Sequence, residues 1–462
     1  MQVNILSVLE RKPLSPIQRR VLVLATLAIV LEGFDIQIVA FTAPSILAEW
    51  GIAKSTLGLV MAAALVGMAI GAAVGGYLGD RLGRRAILIS SIVLFGVPTL
   101  ASALSTNVTQ LTLLRAVAGI GFGAALPNAA ALVAEFMPDR IRAQSVALVV
   151  IGVPAGGMVG ADLASWLVPA FGWRCVFIVG GCLPLALALA MTVGLPESLR
   201  FLVRRGGANA VIAGLLQRIA GMEFSPASTF VFERESALEK PAAEKDSPTI
   251  LTRELRRVNA GLWLAFLSSL ACGYAFFSWI PTALAALALP LDVAIRGSFY
   301  FNLFGVVGAL TGSWLVTRIG SRAALLLLLS MGIVATLALG LWLTHAKSAG
   351  LVVQAAYLMI PLSFAGASNV GAQAALYALA ASAYPTHCRA TGIGWSASVG
   401  RIGAIMSAYG GGAVLALGSG PSTFFMSLSI LLGIAMIGVL IVDRHTGRLV
   451  NTIDLKLRVE NV

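Results

Sequence analysis

The chain has 462 residues, of which 58% are hydrophobic and only 11% charged, with a formal net charge of +12 and a mean hydropathy of +0.91. A soluble protein carries more than twice that charged fraction, so a water-soluble globule is excluded in favour of a polytopic helical membrane protein. The basic excess raises nucleic acid as a partner, but the positions of the charges, taken up below, argue against it.

Up to Arg20 the chain is polar and basic, and the first apolar run is too long and too acidic for a signal peptide, so it is expected to remain as the first span. Runs near 21–48, 56–79, 86–105, 108–136, 143–168 and 174–195 predict six spans, and runs near 259–286, 297–317, 322–344, 349–383, 389–417 and 421–442 predict six more. Between the sets lies a polar stretch, 196–258, containing FVFERESALEKPAAEKDSP; it reads as a linker with at most short surface helices. The expected organisation is a cytoplasmic 1–20, a six-helix bundle 21–195, a cytoplasmic linker 196–258, a second bundle 259–442 and a cytoplasmic 443–462.

Of the 32 Lys and Arg, only Lys54, Arg174, Arg296 and Lys347 fall on the side opposite the termini, and Arg115 and Arg401 lie within spans. The rest share the termini's side, the positive-inside pattern, which predicts cytoplasmic termini and makes the excess charge topological. The four cysteines (Cys175, Cys182, Cys272, Cys388) show no paired spacing, and the three histidines (His345, His387, His445) sit near span ends. No disulfide framework, metal site or cofactor is implied.

The two halves echo each other. GAAVGGYLGDRLGRR (Gly71–Arg85) aligns with GALTGSWLVTRIGSR (Gly308–Arg322) at seven of fifteen positions, and Pro138, Arg142 and Ala143 recur as Pro385, Arg389 and Ala390. Parallel repeats of this kind predict two pseudo-symmetric six-helix bundles with substrate handled near the midplane.

Charges inside the spans are the candidate functional residues, because an ionisable group at that depth costs a few kcal/mol or more unless it faces a cavity or a partner. Glu32 and Asp35, spaced i, i+3, share a face of the first span. Counting along the helices, Asp35 lies about 22 Å into a core of about 30 Å, Arg115 about 20 Å and Arg401 about 18 Å, with Glu32 a turn below Asp35. Two acids and two arginines thus occupy one layer, while Asp162 falls near the outer interface. One reading is ion pairing that fixes helix packing. The other is coupling: a carboxyl removed from water can take up a proton near neutral pH and release it on re-exposure, and a guanidinium beside it grips a carboxylate substrate.

Two motifs carry a family resemblance. GYLGDRLGRR (Gly76–Arg85) resembles the loop after the second helix of the major facilitator superfamily, and RAVAGIGFG (Arg115–Gly123) resembles its fourth-helix motif. The resemblance implies conformational gating by Asp80, Arg81, Arg84 and Arg85, with Glu135 as the partner of Arg84 or Arg85; a plain basic loop is the alternative. EGFD (Glu32–Asp35) is similar to the D-G-F-D motif of the aromatic acid:proton symporter family, with Glu in place of the first Asp. GWRCVFIVGGCLPL (Gly172–Leu185), LPESLRFLVRRG (Leu195–Gly206) and GAQAALYALAASAYPTHCRATGIGWSASVGRIGAI (Gly371–Ile405) are similar to the same family.

That resemblance implies a monomeric, non-enzymatic carrier in a bacterial inner membrane that imports an aromatic (hydroxy)carboxylic acid with protons. Asp35, assisted by Glu32, would carry the proton; Arg401 with Arg115 would meet the carboxylate. Phe34, Phe41, Tyr274, Phe276, Trp279, Phe301, Phe364 and Tyr377 offer ring-stacking surface. Gln37, Asn128, Asn302, Asn369 and Gln373 offer hydrogen bonds, Gln373 and Trp279 being preferred because spans seven and ten line the cavity in this fold. Rival readings are efflux by antiport, uptake of a non-aromatic acid, a membrane enzyme, and a transporter-like sensor. The spans hold no histidine cluster, metal-ligand spacing or serine elbow to favour the enzyme.

Overall fold

The computed structural model describes residues 2–10, 14–206, 208–225, 227–231, 250–350, 354–385, 388–417 and 420–445. Most of the charged part of the predicted linker (232–249), most of the C-terminal segment (446–462) and His387 lie outside the described residues. The chain opens with β1 (Gln2–Asn4) and α1 (Ile5–Leu9). The first half is α2 (Pro16–Trp50), α3 (Lys54–Leu82), α4 (Arg84–Ser102), α5 (Val108–Phe136), α6 (Asp139–Phe171) and α7 (Trp173–Gly194). The connection holds α8 (Leu199–Arg205), α9 (Asn209–Ala220) and β2 (Thr229–Val231). The second half is α10 (Arg256–Ala285), α11 (Leu291–Ile319), α12 (Ser321–Ser348), α13 (Ala355–Ala383), α14 (Arg389–Ala416) and α15 (Pro421–Ile441).

Each predicted span is one helix. Eleven of them are long and apolar enough to cross a membrane. The remaining one, α13, has 29 residues and carries Ser363, Ser368, Asn369 and Gln373 along its length. Backbone polar groups in hydrocarbon must be satisfied within the segment, which is why apolar runs of this length fold as helices.

The repeat is visible in how the helices stop and how they pack. Gly83 (φ 101°) separates α3 from α4, and its repeat equivalent Gly320 (φ 85°) separates α11 from α12; both need a left-handed backbone that a side chain disfavours. A methyl on Gly71 of α3 would collide with the Ile120 carbonyl of α5, and one on Gly308 of α11 with the Ala367 carbonyl of α13. Small residues let these backbones touch where no hydrophobic drive exists between helices in lipid.

By contacts the chain forms two units: Met1–Ile38, Ala63–Gly157 and Arg174–Asp246; and Val39–Ala62, Met158–Trp173 and Ser247–Val462. In the first, β1 pairs in parallel with β2, Val3 opposite Phe230. Ile5, Val8 and Leu9 of α1 are buried, as are Ile212, Ala213 and Leu216 of the adjacent α9. In the second, the first turns of α3 lie on α14: side chains at Gly58 and Gly412 would meet the Tyr409 and Lys54 carbonyls respectively.

Candidate functional site

The E-G-F-D run of α2 is shaped by its glycine. A side chain at Gly33 would strike the Val153 carbonyl of α6, so the two backbones approach closely and Asp35 is carried into the first unit's interior. Asp35 is 1% exposed, as is Arg115 of α5. Arg115 Nη1 donates to Asp35 Oδ1 at 2.8 Å, and the Thr99 hydroxyl of α4 donates to Asp35 Oδ2 while accepting from Arg115 Nη2. Ser102 accepts a longer bond from the same Nη2 at 3.4 Å, and the guanidinium lies 5.5 Å from the centre of the Phe177 ring. The proximity of Asp35 and Arg115 follows the depth count; Thr99, Ser102 and Phe177 carry no charge and no sequence signal marked them. Glu32 is also buried, a turn away. Phe34 is buried with its ring edge near Gly180 of α7, a packing position in the helix interface.

At the far end of α3 a second polar cluster forms. Arg84 donates to Glu135 Oε1 and, at 3.2 Å, to Asp80 Oδ1. The other oxygen of Glu135 accepts from the Ser198 hydroxyl, which also caps α8 by accepting from the Phe201 amide. Glu197 accepts from the Arg85 amide at 3.0 Å, and the Arg85 guanidinium donates to the Thr192 carbonyl. Arg81 instead lies over the Tyr77 ring at 4.3 Å. The loop motif points to Asp80, Arg84, Arg85 and Glu135 here, whereas Glu197 and Ser198 are marked only by the LPES run.

In the second unit Trp279 is wholly buried, its indole donating to the Ala408 carbonyl at 3.1 Å and its ring against Gly411 and Gly412. It joins α10 to α14 and presents no surface to a ligand. Asn302 is wholly buried and donates to the Ser298 carbonyl at 2.8 Å. Gln373, half-buried, donates to Asn369 Oδ1 at 3.0 Å. Arg401 is half-buried on α14, within electrostatic reach of Tyr377 of α13. Among the described residues its guanidinium makes no hydrogen bond or ion pair. Tyr377 meets Phe266 of α10 edge-on, with centroids 5.0 Å apart.

Two repeated bundles, the glycine-rich loop with its Arg84–Glu135 pair and a buried acid on the first long helix match one known architecture, and the Major Facilitator Superfamily description matches residues 25–408. The chain belongs to the Major Facilitator Superfamily. It is 34% identical over 438 residues to the 4-hydroxybenzoate transporter PcaK of Pseudomonas putida, covering 95% of both chains. It is 33% identical over 422 residues to the gallate transporter of the same organism, covering 91% of both. The benzoate transport protein of Acinetobacter baylyi is 30% identical, over 96% of this chain and 94% of that one. Among solved structures, a D-xylose-proton symporter superposes with a TM-score of 0.68 at 18% identity, covering 92% of this chain and 97% of that one, a likeness of fold. As a superfamily member the chain is a membrane transporter and not an enzyme.

Proposed function

We propose that this facilitator imports an aromatic (hydroxy)carboxylic acid together with protons, by alternating access, across a bacterial inner membrane with both termini inside. The observation that carries the reading is the unequal state of the two membrane-embedded arginines. Arg115 already has a carboxylate, Asp35, whereas Arg401 has neither hydrogen bond nor ion pair among the described residues. A guanidinium cannot shed its proton, and at membrane depth it needs an anion. An arriving carboxylate supplies two acceptors in the fork geometry arginine favours, and the exposed ring of Tyr377, held edge-on by the buried Phe266, offers an aromatic wall for the ring behind it. The gallate, 4-hydroxybenzoate and benzoate of the relatives' names share this chemistry, a carboxylate on a ring.

Asp35 is the proton carrier in this reading, with Glu32 assisting. A proton on its carboxyl weakens the bond to Arg115 and frees that guanidinium, so proton and substrate binding become linked. The Asp80, Arg84, Glu135 and Ser198 contacts latch the inner face, and the approach of Gly58 and Gly412 to opposing backbone closes the outer one.

Uptake of labelled 4-hydroxybenzoate into proteoliposomes under an inward proton gradient tests the reading. Uptake should collapse with a protonophore, and Arg401→Ala should lose it at least a hundredfold. Wild-type affinity in Arg401→Ala would overturn the assignment of the carboxylate.

A further inference from the structure

We propose that Asn369 and Gln373 of α13, opposite Gly273 of α10, form a second subsite that reads a polar substituent on the ring, so the carrier prefers a hydroxylated aromatic acid over the bare ring. The inference rests on the function proposed above and specifies its substrate.

Asn369, Gln373 and Tyr377 recur every fourth residue and form one stripe on α13. Phe266, Ser269 and Gly273 of α10 answer them. Phe266 meets Tyr377 edge-on, the Asn369 amide donates to the Ser269 carbonyl at 3.4 Å, and Gly273 faces both side-chain amides. The stripe therefore grades from the aromatic pair, whose Tyr377 is within electrostatic reach of Arg401, to a pair of amides about 6 to 12 Å further along the helix. A ring acid held by its carboxylate at the first end extends its far edge toward the second.

Three details make the amide end a built site. A Cβ on Gly273 would lie 2.5 Å from Gln373 Nε2 and 2.6 Å from Asn369 Oδ1, so any side chain there displaces the amides. Gln373 gives one N–H to Asn369 and makes no other hydrogen bond among the described residues, which leaves its carbonyl oxygen as an acceptor. The Ser269 hydroxyl, on a residue 0% exposed, has no hydrogen-bond partner among the described residues. A phenolic hydroxyl both donates and accepts; it satisfies the Gln373 oxygen where a bare C–H leaves it unmet. Sites that hydrogen-bond a substrate hydroxyl reject analogues lacking it for this reason.

The test uses the full-length protein in proteoliposomes and reads the ratio of half-inhibitory concentrations of benzoate and 4-hydroxybenzoate, so a general loss of rate cancels. The wild type should favour 4-hydroxybenzoate about tenfold, the value of one net hydrogen bond. Gln373→Leu should bring the ratio near one, and Gly273→Ala should move it the same way through an independent element. Thermal shift of the detergent-purified variants by each acid gives the same ratio without transport. A ratio unchanged from wild type in both variants overturns the subsite and leaves the function standing. A wild type that binds and carries neither acid overturns the function, and the subsite falls with it.

Discussion

Asp35 and Arg115 show how far residue-level reasoning reaches. Helix rise alone brings their heights together, because each residue adds about 1.5 Å whatever its neighbours are. Whether two groups at one height also face each other depends on helix rotation, which depth does not specify. Rotation is what recruits Thr99, a hydroxyl that bridges acid and arginine by donating to one and accepting from the other. Removing one member of a buried ion pair strands the other, at a cost of about 3–5 kcal/mol. Arg115→Gln should therefore lower the unfolding temperature in detergent markedly. Adding Asp35→Asn should recover most of the loss, while uptake in the double variant stays absent. Where Asp35→Asn alone retains uptake, that uptake should no longer respond to external pH; an unchanged pH response would remove Asp35 from proton coupling.

The elements outside the long helices were the least legible. β1 and β2 are three residues each, separated by more than two hundred positions. Such short strands carry almost no local pattern, and their pairing depends on where the surrounding helices hold them. The chain start is nevertheless tied down. Gln18 donates to the Leu9 and Phe136 carbonyls, and Glu10 accepts from the Asp139 amide at 2.6 Å. The amphipathic α9 packs beside α1, so the beginning of the chain, the connection and the α5–α6 junction form one patch in the first unit. Deleting residues 2–10 should expose α9 and β2 to limited proteolysis in inside-out vesicles, with cleavage faster than in the intact chain. Equal cleavage rates would show that the β1–β2 pairing contributes nothing there. Ser198 belongs to the same scale. It caps α8 and bonds Glu135, coupling a helix terminus to the Arg84 pair, a role no charge pattern announces.

Over the whole molecule, the repeat and the charge bias were open to inspection because both are written along the chain. Gly83 and Gly320 turn alike, and Gly71 and Gly308 pack alike, since each half solves the same packing problem. The bias predicts that a cysteine placed at Lys347 reacts with an impermeant maleimide from outside intact cells, and one at Arg205 does not; the reverse would invert the topology. Trp279 marks the other limit. An aromatic on a cavity-lining helix suggested a ligand surface, but its indole closes the seam between α10 and α14.

By itself the sequence determined the membrane class, the long helices, their doubling and the matching positions along their helices of Asp35 and Arg115. Those follow from the free energy of moving each residue out of water along a helix of known rise. Only the tertiary structure decided which charges meet: Asp35 with Arg115, Arg84 rather than Arg85 with Glu135, and Arg401 with no counter-ion among the described residues. Partner choice depends on how each helix is rotated against its neighbours, and that rotation is set by interlocking side chains and glycine contacts from several segments at once.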